Sequence, residues 1–96
     1  MSDTTLSVPP RTVSIVNHLG LHARPAAKIV TTAERFDAEA TIAHGSNVVS
    51  ALSIMGLMML GAGEGQDVTL RAHGPQAAEA LDALEALIAD GFGERD

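Results

Sequence analysis

The sequence has 96 residues, of which 46% are hydrophobic and only two are aromatic, enough for one small domain with an aliphatic core. Its net charge of −6 argues against binding nucleic acid through a broad basic surface. Because the sequence contains no cysteine, it forms neither disulfide bonds nor thiolate metal sites.

The beginning of the chain shows no targeting pattern. Residues 1–10 are polar, contain a Pro-Pro pair and lack the charged-then-apolar order of a signal peptide. No stretch of the sequence approaches the about 18 apolar residues of a membrane span. We therefore expect residues 1–10 to be a flexible N-terminal tail and the protein to be cytoplasmic, without membrane insertion.

The first predicted elements are a strand and a helix. Arg11–Asn17 alternates Val and Ile with polar residues, which predicts a strand. A loop containing Gly20 follows, and apolar residues at helical spacing then predict a helix over Ala23–Arg35. His22 stands at or beside the N-cap, and Pro25 falls in the first turn, where a missing N–H is tolerated.

The next elements are a hairpin and a short helix. Residues 39–44 and 47–50 predict two strands joined by a tight turn at Gly45-Ser46. The apolar run that ends at Leu60 predicts a short helix with Ser53 as its N-cap.

A last strand and a last helix complete the predicted domain. Residues 67–73 alternate as a strand, and Gly74-Pro75 opens a helix that ends near Gly91. The core-facing stripe of this helix comprises Ala77, Leu81, Leu84 and Ile88. The order β-α-β-β-α-β-α predicts an α+β fold with the helices on one face of a sheet. We expect the domain to span residues 11–93, followed by a C-terminal tail at residues 94–96.

His22 is the strongest candidate for chemistry. A helix start presents unpaired N–H groups and the positive end of the helix dipole, which together favour an anion. The amides of Ala23 and Arg24 and the guanidinium of Arg24 are therefore expected to hold a phosphate. A neutral imidazole beside them can accept a phosphoryl group from a partner. By spacing alone, a histidine that merely caps the helix is an equally good interpretation.

The other histidines carry weaker signals. His18 and His22 have the i, i+4 spacing of zinc ligands, but Gly20 lies between them and no third ligand is evident. His44 and His73 fall in predicted strands without acidic neighbours that suggest a site. We therefore expect no metal site.

Ser53 is the second candidate. It is interpreted either as a plain N-cap or as a phosphorylation site beside an apolar patch rich in Met. A basic stripe of Arg24, Lys28 and Arg35 is expected on the outer side of the first helix. The predicted partner-docking residues are Leu21, Ala27, Lys28, Ile54, Met55 and Met58.

Two motifs, residues 20–26 and residues 53–58, resemble the active-site and regulatory-serine signatures of the histidine-containing phosphocarrier (HPr) family of the phosphoenolpyruvate-dependent phosphotransferase system. The similarity extends over residues 11–93. Residues 36–39 and 74–81 look most like the nitrogen-related NPr branch. Many sugar-type members carry a lysine immediately before the serine, where this sequence has Leu52.

The resemblance implies an open-faced β-sandwich, with three helices on one face of a four-stranded antiparallel sheet. It implies that His22 is phosphorylated on Nδ1, the pros nitrogen, with Arg24 as the phosphate clamp. Enzyme I would be the donor and an enzyme IIA the acceptor, in sugar uptake or nitrogen-related regulation. An HPr serine kinase/phosphorylase would act on Ser53.

We further expect a monomer that binds no cofactor and acts as a phosphoryl carrier rather than as a stand-alone catalyst. The alternative is a regulatory binding module of the same fold, which docks partners through Ser53 and the Met patch while His22 is idle. A small independent enzyme is disfavoured, because the sequence has no acid–base pair or cofactor motif.

Overall fold

Four strands, three α-helices and a short 3₁₀ turn follow one another in the part of the chain, residues 8–94, that the computed structural model describes. The elements are β1 (Arg11–Ser14), α1 (Ala23–Ala33), β2 (Glu39–His44), β3 (Asn47–Ser50), α2 (Ile54–Met59), β4 (Asp67–His73), α3 (Ala77–Ala89) and the turn Gly91–Gly93. The predicted N-terminal tail lies outside the described residues for positions 1–7, and the C-terminal tail for positions 95 and 96.

The strands form one antiparallel sheet in the order β1-β4-β2-β3. The register places Val13 opposite Val68 and Ile42 opposite Leu70, so the apolar positions of neighbouring strands coincide on one face. Since side chains alternate between the two faces of a strand, this register gives the sheet one buried face. The expected α+β class and strand topology are confirmed.

The helices cover that apolar face. The predicted stripe of α3 is confirmed, since Ala77, Leu81, Leu84 and Ile88 are all buried. The buried residues of α1 are Pro25, Ala26, Ile29 and Ala33. Within residues 8–94, none of the helices has the length and apolar character that a membrane crossing requires.

Arg11 connects the first strand to the last helix. Its guanidinium donates to Asp82 at 2.5 Å and to Glu85 at 3.0 Å. The hydrogen bonds to Asp82 and Glu85 raise the pKa of Arg11 above its ordinary value. Because these groups are largely exposed, the pairs add little stability and mainly align β1 with α3.

Two boundaries and one core residue differ from the sequence-based expectation. The strand β1 ends at Ser14 rather than at Asn17, although Ile15 still accepts a backbone bond from Gly65. The helix α1 ends at Ala33 rather than at Arg35. Phe92, for which no pattern predicts a role, is 1% exposed and adopts a left-handed backbone conformation with φ of 60°.

The loop before α1 rests on a close approach at Gly20. This residue has φ of 66°, and a Cβ there would lie 2.5 Å from the carbonyl oxygen of Ala62 and 2.8 Å from the Cα of Gly63. Only glycine fits both the conformation and the space. The neighbouring Leu21 donates its N–H to the Ala62 carbonyl at 3.2 Å, which fixes the chain just ahead of His22.

We predict that Gly20→Ala lowers the free energy of unfolding by about 2–5 kcal/mol, from left-handed strain plus steric overlap. Gly45→Ala is the matched control, because Gly45 has φ of 61° but nothing within 4 Å of its Cβ position. The control should lose only about 1–2 kcal/mol. Chemical denaturation of both variants measures the difference, and equal losses would contradict the close approach.

Candidate functional site

His22 occupies the N-cap of α1, as predicted. Its backbone is extended, with φ of −79° and ψ of −170°, and its carbonyl accepts the first helical bond from Ala26 at 3.0 Å. The imidazole makes no capping bond to the helix, and the side chain is 36% exposed. The ring is therefore not needed to terminate the helix, which disfavours the interpretation of His22 as a simple cap.

The first turn of α1 offers free donors. The N–H groups of Ala23 and Arg24 come before that of Ala26, the first N–H that donates within the helix, and Pro25 has no N–H to offer. Both residues are exposed, and the turn contains no acidic side chain. The start of the helix therefore has the amides and the dipole that an anion needs, directly beside the imidazole.

Arg24 is the basic residue that the structure leaves available at this site. It is exposed and forms no ion pair or side-chain hydrogen bond with any residue from 8 to 94. Lys28 differs, because its ammonium donates to the Phe92 carbonyl at 2.6 Å. Arg35 lies beyond the end of α1, 5.9 Å above the Phe36 ring. Each of the three basic residues of the predicted stripe therefore has different surroundings.

A contact that sequence reasoning missed joins the imidazole to the end of the chain. Glu94, assigned to the C-terminal tail, places Oε2 3.2 Å from Nε2 of His22. Its other oxygen, Oε1, accepts from Nδ2 of Asn17 at 3.1 Å. His22 and Glu94 are 72 residues apart, and no short motif or periodicity links such distant positions.

The remaining histidines contact different groups. His18 lies 3.4 Å from Glu64 and His73 lies 3.0 Å from Glu39, both at the surface. Nδ1 of His44 lies 3.0 Å from the Leu60 carbonyl, which connects β2 to the end of α2. Among residues 8–94, no group of three or more His, Asp or Glu residues could hold a metal ion.

Ser53 caps α2, as predicted. Its Oγ accepts the N–H of Gly56 at 3.0 Å, and its side chain is partly exposed. A Cβ at Gly56 would lie 2.9 Å from Ser53 Oγ and 3.1 Å from Val49, so the glycine lets the cap approach closely.

An exposed apolar patch, comprising Ile54, Met55 and Met58, lies on α2, whereas Leu57 of the same helix is fully buried. A shallow depression lined by Leu19, His22 and Met58 connects this patch with the imidazole. Ala27 and Lys28 are half-buried. Leu21 is only 5% exposed and belongs to the core, although it also lines this depression, so its docking role stays a prediction.

The chain is similar to a family of known proteins over most of its length. Residues 10–90 match the family model described as "PTS HPr component phosphorylation site". The phosphocarrier protein HPr of Cupriavidus necator is 50% identical over 84 residues, covering 88% of this chain and 94% of the relative. The phosphocarrier protein NPr of Shewanella violacea is 49% identical over 84 residues, covering 88% and 92%.

A solved structure agrees with these relatives. The crystal structure of HPr-C-His from Thermoanaerobacter tengcongensis superposes with a TM-score of 0.87 at 43% identity, covering 93% of this chain and 100% of that one. The HPr and NPr relatives are almost equally identical to the chain, so identity does not choose between the two branches.

We predict that Ser53→Ala lowers the free energy of unfolding by about 1 kcal/mol, because α2 loses its N-cap acceptor. Ser53→Asp should retain most of that stability, since aspartate is an equally good N-cap. Ser46→Ala, in the exposed turn between β2 and β3, is the control and should change little. Chemical denaturation tests this, and equal stability of Ser53→Ala and wild type would contradict the capping role.

Proposed function

The chain belongs to the HPr family of phosphocarrier proteins, and from this premise we propose that His22 is the residue that carries the phosphoryl group. Members of the family act in the relay of the phosphoenolpyruvate-dependent phosphotransferase system, between enzyme I and enzyme IIA. Its relatives are named as phosphocarriers. Nothing in these similarities supports the alternative of a binding module with an idle histidine.

One observation carries the assignment of His22. The imidazole stands at the N-cap of α1 without serving as the cap, partly exposed, beside the free amides of Ala23 and Arg24. The described residues offer no second histidine at a helix start, because His18 lies in a loop and His44 and His73 lie in strands. These surroundings support a phosphoryl group on His22.

In the proposed transfer, the lone pair of Nδ1 of His22 attacks phosphorus on the donor. The nitrogen–phosphorus bond forms as the donor's bond to phosphorus breaks, and the electron pair of that bond stays with the donor. The amides and the guanidinium of Arg24 offset the negative charge of the phosphoryl oxygens. The acceptor then takes the same group by the reverse sequence. The protein supplies position and charge, and its partners complete the site.

The partner surface is proposed to comprise Ala27, Lys28 and the apolar patch of α2. The depression that joins Met58 to His22 supports this, because a donor bound over the patch would also cover the imidazole. Methionine side chains suit a surface that binds a donor and an acceptor in turn. We further propose that the chain acts as a cytoplasmic monomer whose patch is covered only during transfer.

The proposal extends to regulation at Ser53. A phosphate on Ser53 would add about −1.5 to −2 charges at the edge of the apolar patch. An HPr serine kinase/phosphorylase is the expected enzyme, and the partly exposed Ser53 side chain supports access to it. Leu52 is also exposed, so the position before the serine is available for contact.

We predict that incubation with phosphoenolpyruvate and enzyme I gives one acid-labile, alkali-stable phosphate per chain, and that His22→Ala abolishes it. His73→Ala is the matched control, since His73 is an exposed histidine paired with Glu39 at the sheet surface. The control should incorporate phosphate normally. Incorporation in His22→Ala equal to wild type would overturn the assignment.

The same assay separates the guanidinium from the imidazole. Arg24→Ala should slow phosphoryl uptake by roughly tenfold or more, the effect of losing one charged hydrogen-bonding group. Arg35→Ala, an exposed basic residue beyond the helix, should not slow it. Equal rates for the two variants would contradict the clamp.

We predict that Met55→Glu weakens binding to enzyme I by roughly tenfold or more, because it places a charge in an apolar contact. Thermal unfolding should change little, since Met55 is exposed. Val48→Glu, an exposed apolar residue on β3, is the control and should bind normally. Titration calorimetry measures the affinity, and normal binding by Met55→Glu would remove the patch from the docking surface.

A further inference from the structure

We propose that Glu94 is a positioning residue for His22, whose carboxylate holds the imidazole as its Nε2–H tautomer and so leaves the lone pair on Nδ1. This inference rests on the proposed role of His22 in phosphoryl transfer. It gives a role to the last described residue of the chain, which the sequence places in a short tail.

The tautomer follows from the hydrogen bonds of the carboxylate. Oε2 of Glu94 lies 3.2 Å from Nε2 of His22, and an ionised carboxylate can only accept. Nε2 must therefore carry the hydrogen. In a neutral imidazole the other nitrogen, Nδ1, then keeps its lone pair.

The carboxylate is itself held from its other side. Nδ2 of Asn17 donates to Oε1 of Glu94 at 3.1 Å and to the Gly20 carbonyl at 2.8 Å. Asn17 is 3% exposed, the most deeply buried polar side chain among the described residues, and Glu94 is 15% exposed. The Gly20 carbonyl thus fixes the orientation of the Asn17 amide, and that amide fixes the carboxylate.

The segment that carries Glu94 is anchored independently. The Phe92 ring is buried in the core, and the Phe92 carbonyl accepts from Lys28 Nζ at 2.6 Å. The N–H of Glu94 donates to the Gly91 carbonyl at 3.0 Å. Lys28 belongs to α1, so the helix that presents His22 also holds the segment that orients its ring.

The carboxylate also acts during transfer. When Nδ1 bonds to phosphorus and the donor's bond breaks, the imidazole becomes a cation that retains the hydrogen on Nε2. Glu94 offsets this charge in a partly buried setting, as a buried carboxylate does for the catalytic histidine of serine proteases. When the acceptor takes the phosphoryl group, the electron pair of the broken bond returns to Nδ1 and the ring is neutral again.

The hydrogen bonds around Glu94 predict that Glu94→Gln, the more conservative substitution, impairs transfer more than Glu94→Ala. In Glu94→Gln, Asn17 still presents an N–H, so the new amide turns its oxygen to Asn17 and its NH₂ to Nε2 of His22. An NH₂ facing Nε2 favours the Nδ1–H tautomer, which has no lone pair on Nδ1. Glu94→Ala leaves the ring free to adopt either tautomer. The isosteric change is therefore more harmful than the truncation.

The test combines ¹⁵N spectra of the imidazole with phosphoryl uptake. Long-range ¹H–¹⁵N spectra at alkaline pH, where histidine rings are neutral, should show Nε2–H in wild type and a shift towards Nδ1–H in Glu94→Gln. Uptake from phosphorylated enzyme I should fall by roughly tenfold or more in Glu94→Gln and by less in Glu94→Ala. Glu64→Gln, which alters the carboxylate beside His18, is the control and should change neither measurement.

Two results would overturn the proposal. One is a wild-type tautomer in Glu94→Gln, whatever its rate. The other is a greater loss of uptake in Glu94→Ala than in Glu94→Gln, which is the order expected of a merely structural residue. Thermal unfolding confirms that each variant is folded. The same experiment separates a failure of this inference from a failure of the proposed function. If the phosphate were carried by another residue, the ¹⁵N spectra of His22 and their dependence on Glu94 would be unchanged.

Discussion

The close backbone contact between Gly20 and the segment Ala62–Gly63 is the constraint on which the site depends. It fixes the loop ahead of α1, sends Leu21 into the core and leaves His22 at the surface as the N-cap. The Gly20 carbonyl also accepts from Asn17, so the same turn orients the network behind the imidazole. One glycine thus connects the packing of the fold with the direction of the His22 side chain.

Three separate parts of the chain meet around His22, and each has a different physical task. The start of α1 provides amides and a dipole for an anion. The short helix α2 presents apolar side chains that a protein partner can cover. The turn that contains Phe92 brings Glu94 to the back of the ring. The chain has a net charge of −6, yet the start of α1 remains locally positive. The Arg24 guanidinium there makes no ion pair with any residue from 8 to 94.

Local patterns predicted the parts of this structure that local physics determines. The turn at Gly45-Ser46 predicts β2 and β3 and alternation predicts β4, all at their observed bounds. The capping preference of Ser53 and the apolar periodicity after His22 predict the starts of two helices. Local patterns also select His22 and Arg24 as candidate site residues, because both lie at the start of one helix. The burial of Leu21 is not predicted by these patterns, because its backbone is held by a hydrogen bond to Ala62, 41 positions later in the chain. The burial of Phe92 and the contact of Glu94 with His22 are not predicted for a similar reason. Both follow a left-handed backbone turn, and the periodicity of a sequence does not indicate contacts formed beyond such a turn.

We propose that the turn at Gly20 and the start of α1 together present Nδ1 of His22 for phosphoryl transfer. The most direct measurement is ³¹P–¹⁵N NMR of the ¹⁵N-labelled protein after phosphorylation by phosphoenolpyruvate and enzyme I. We expect one-bond coupling between phosphorus and Nδ1 of His22, with the hydrogen retained on Nε2. Coupling to Nε2, or to a nitrogen of His18, His44 or His73, would contradict it.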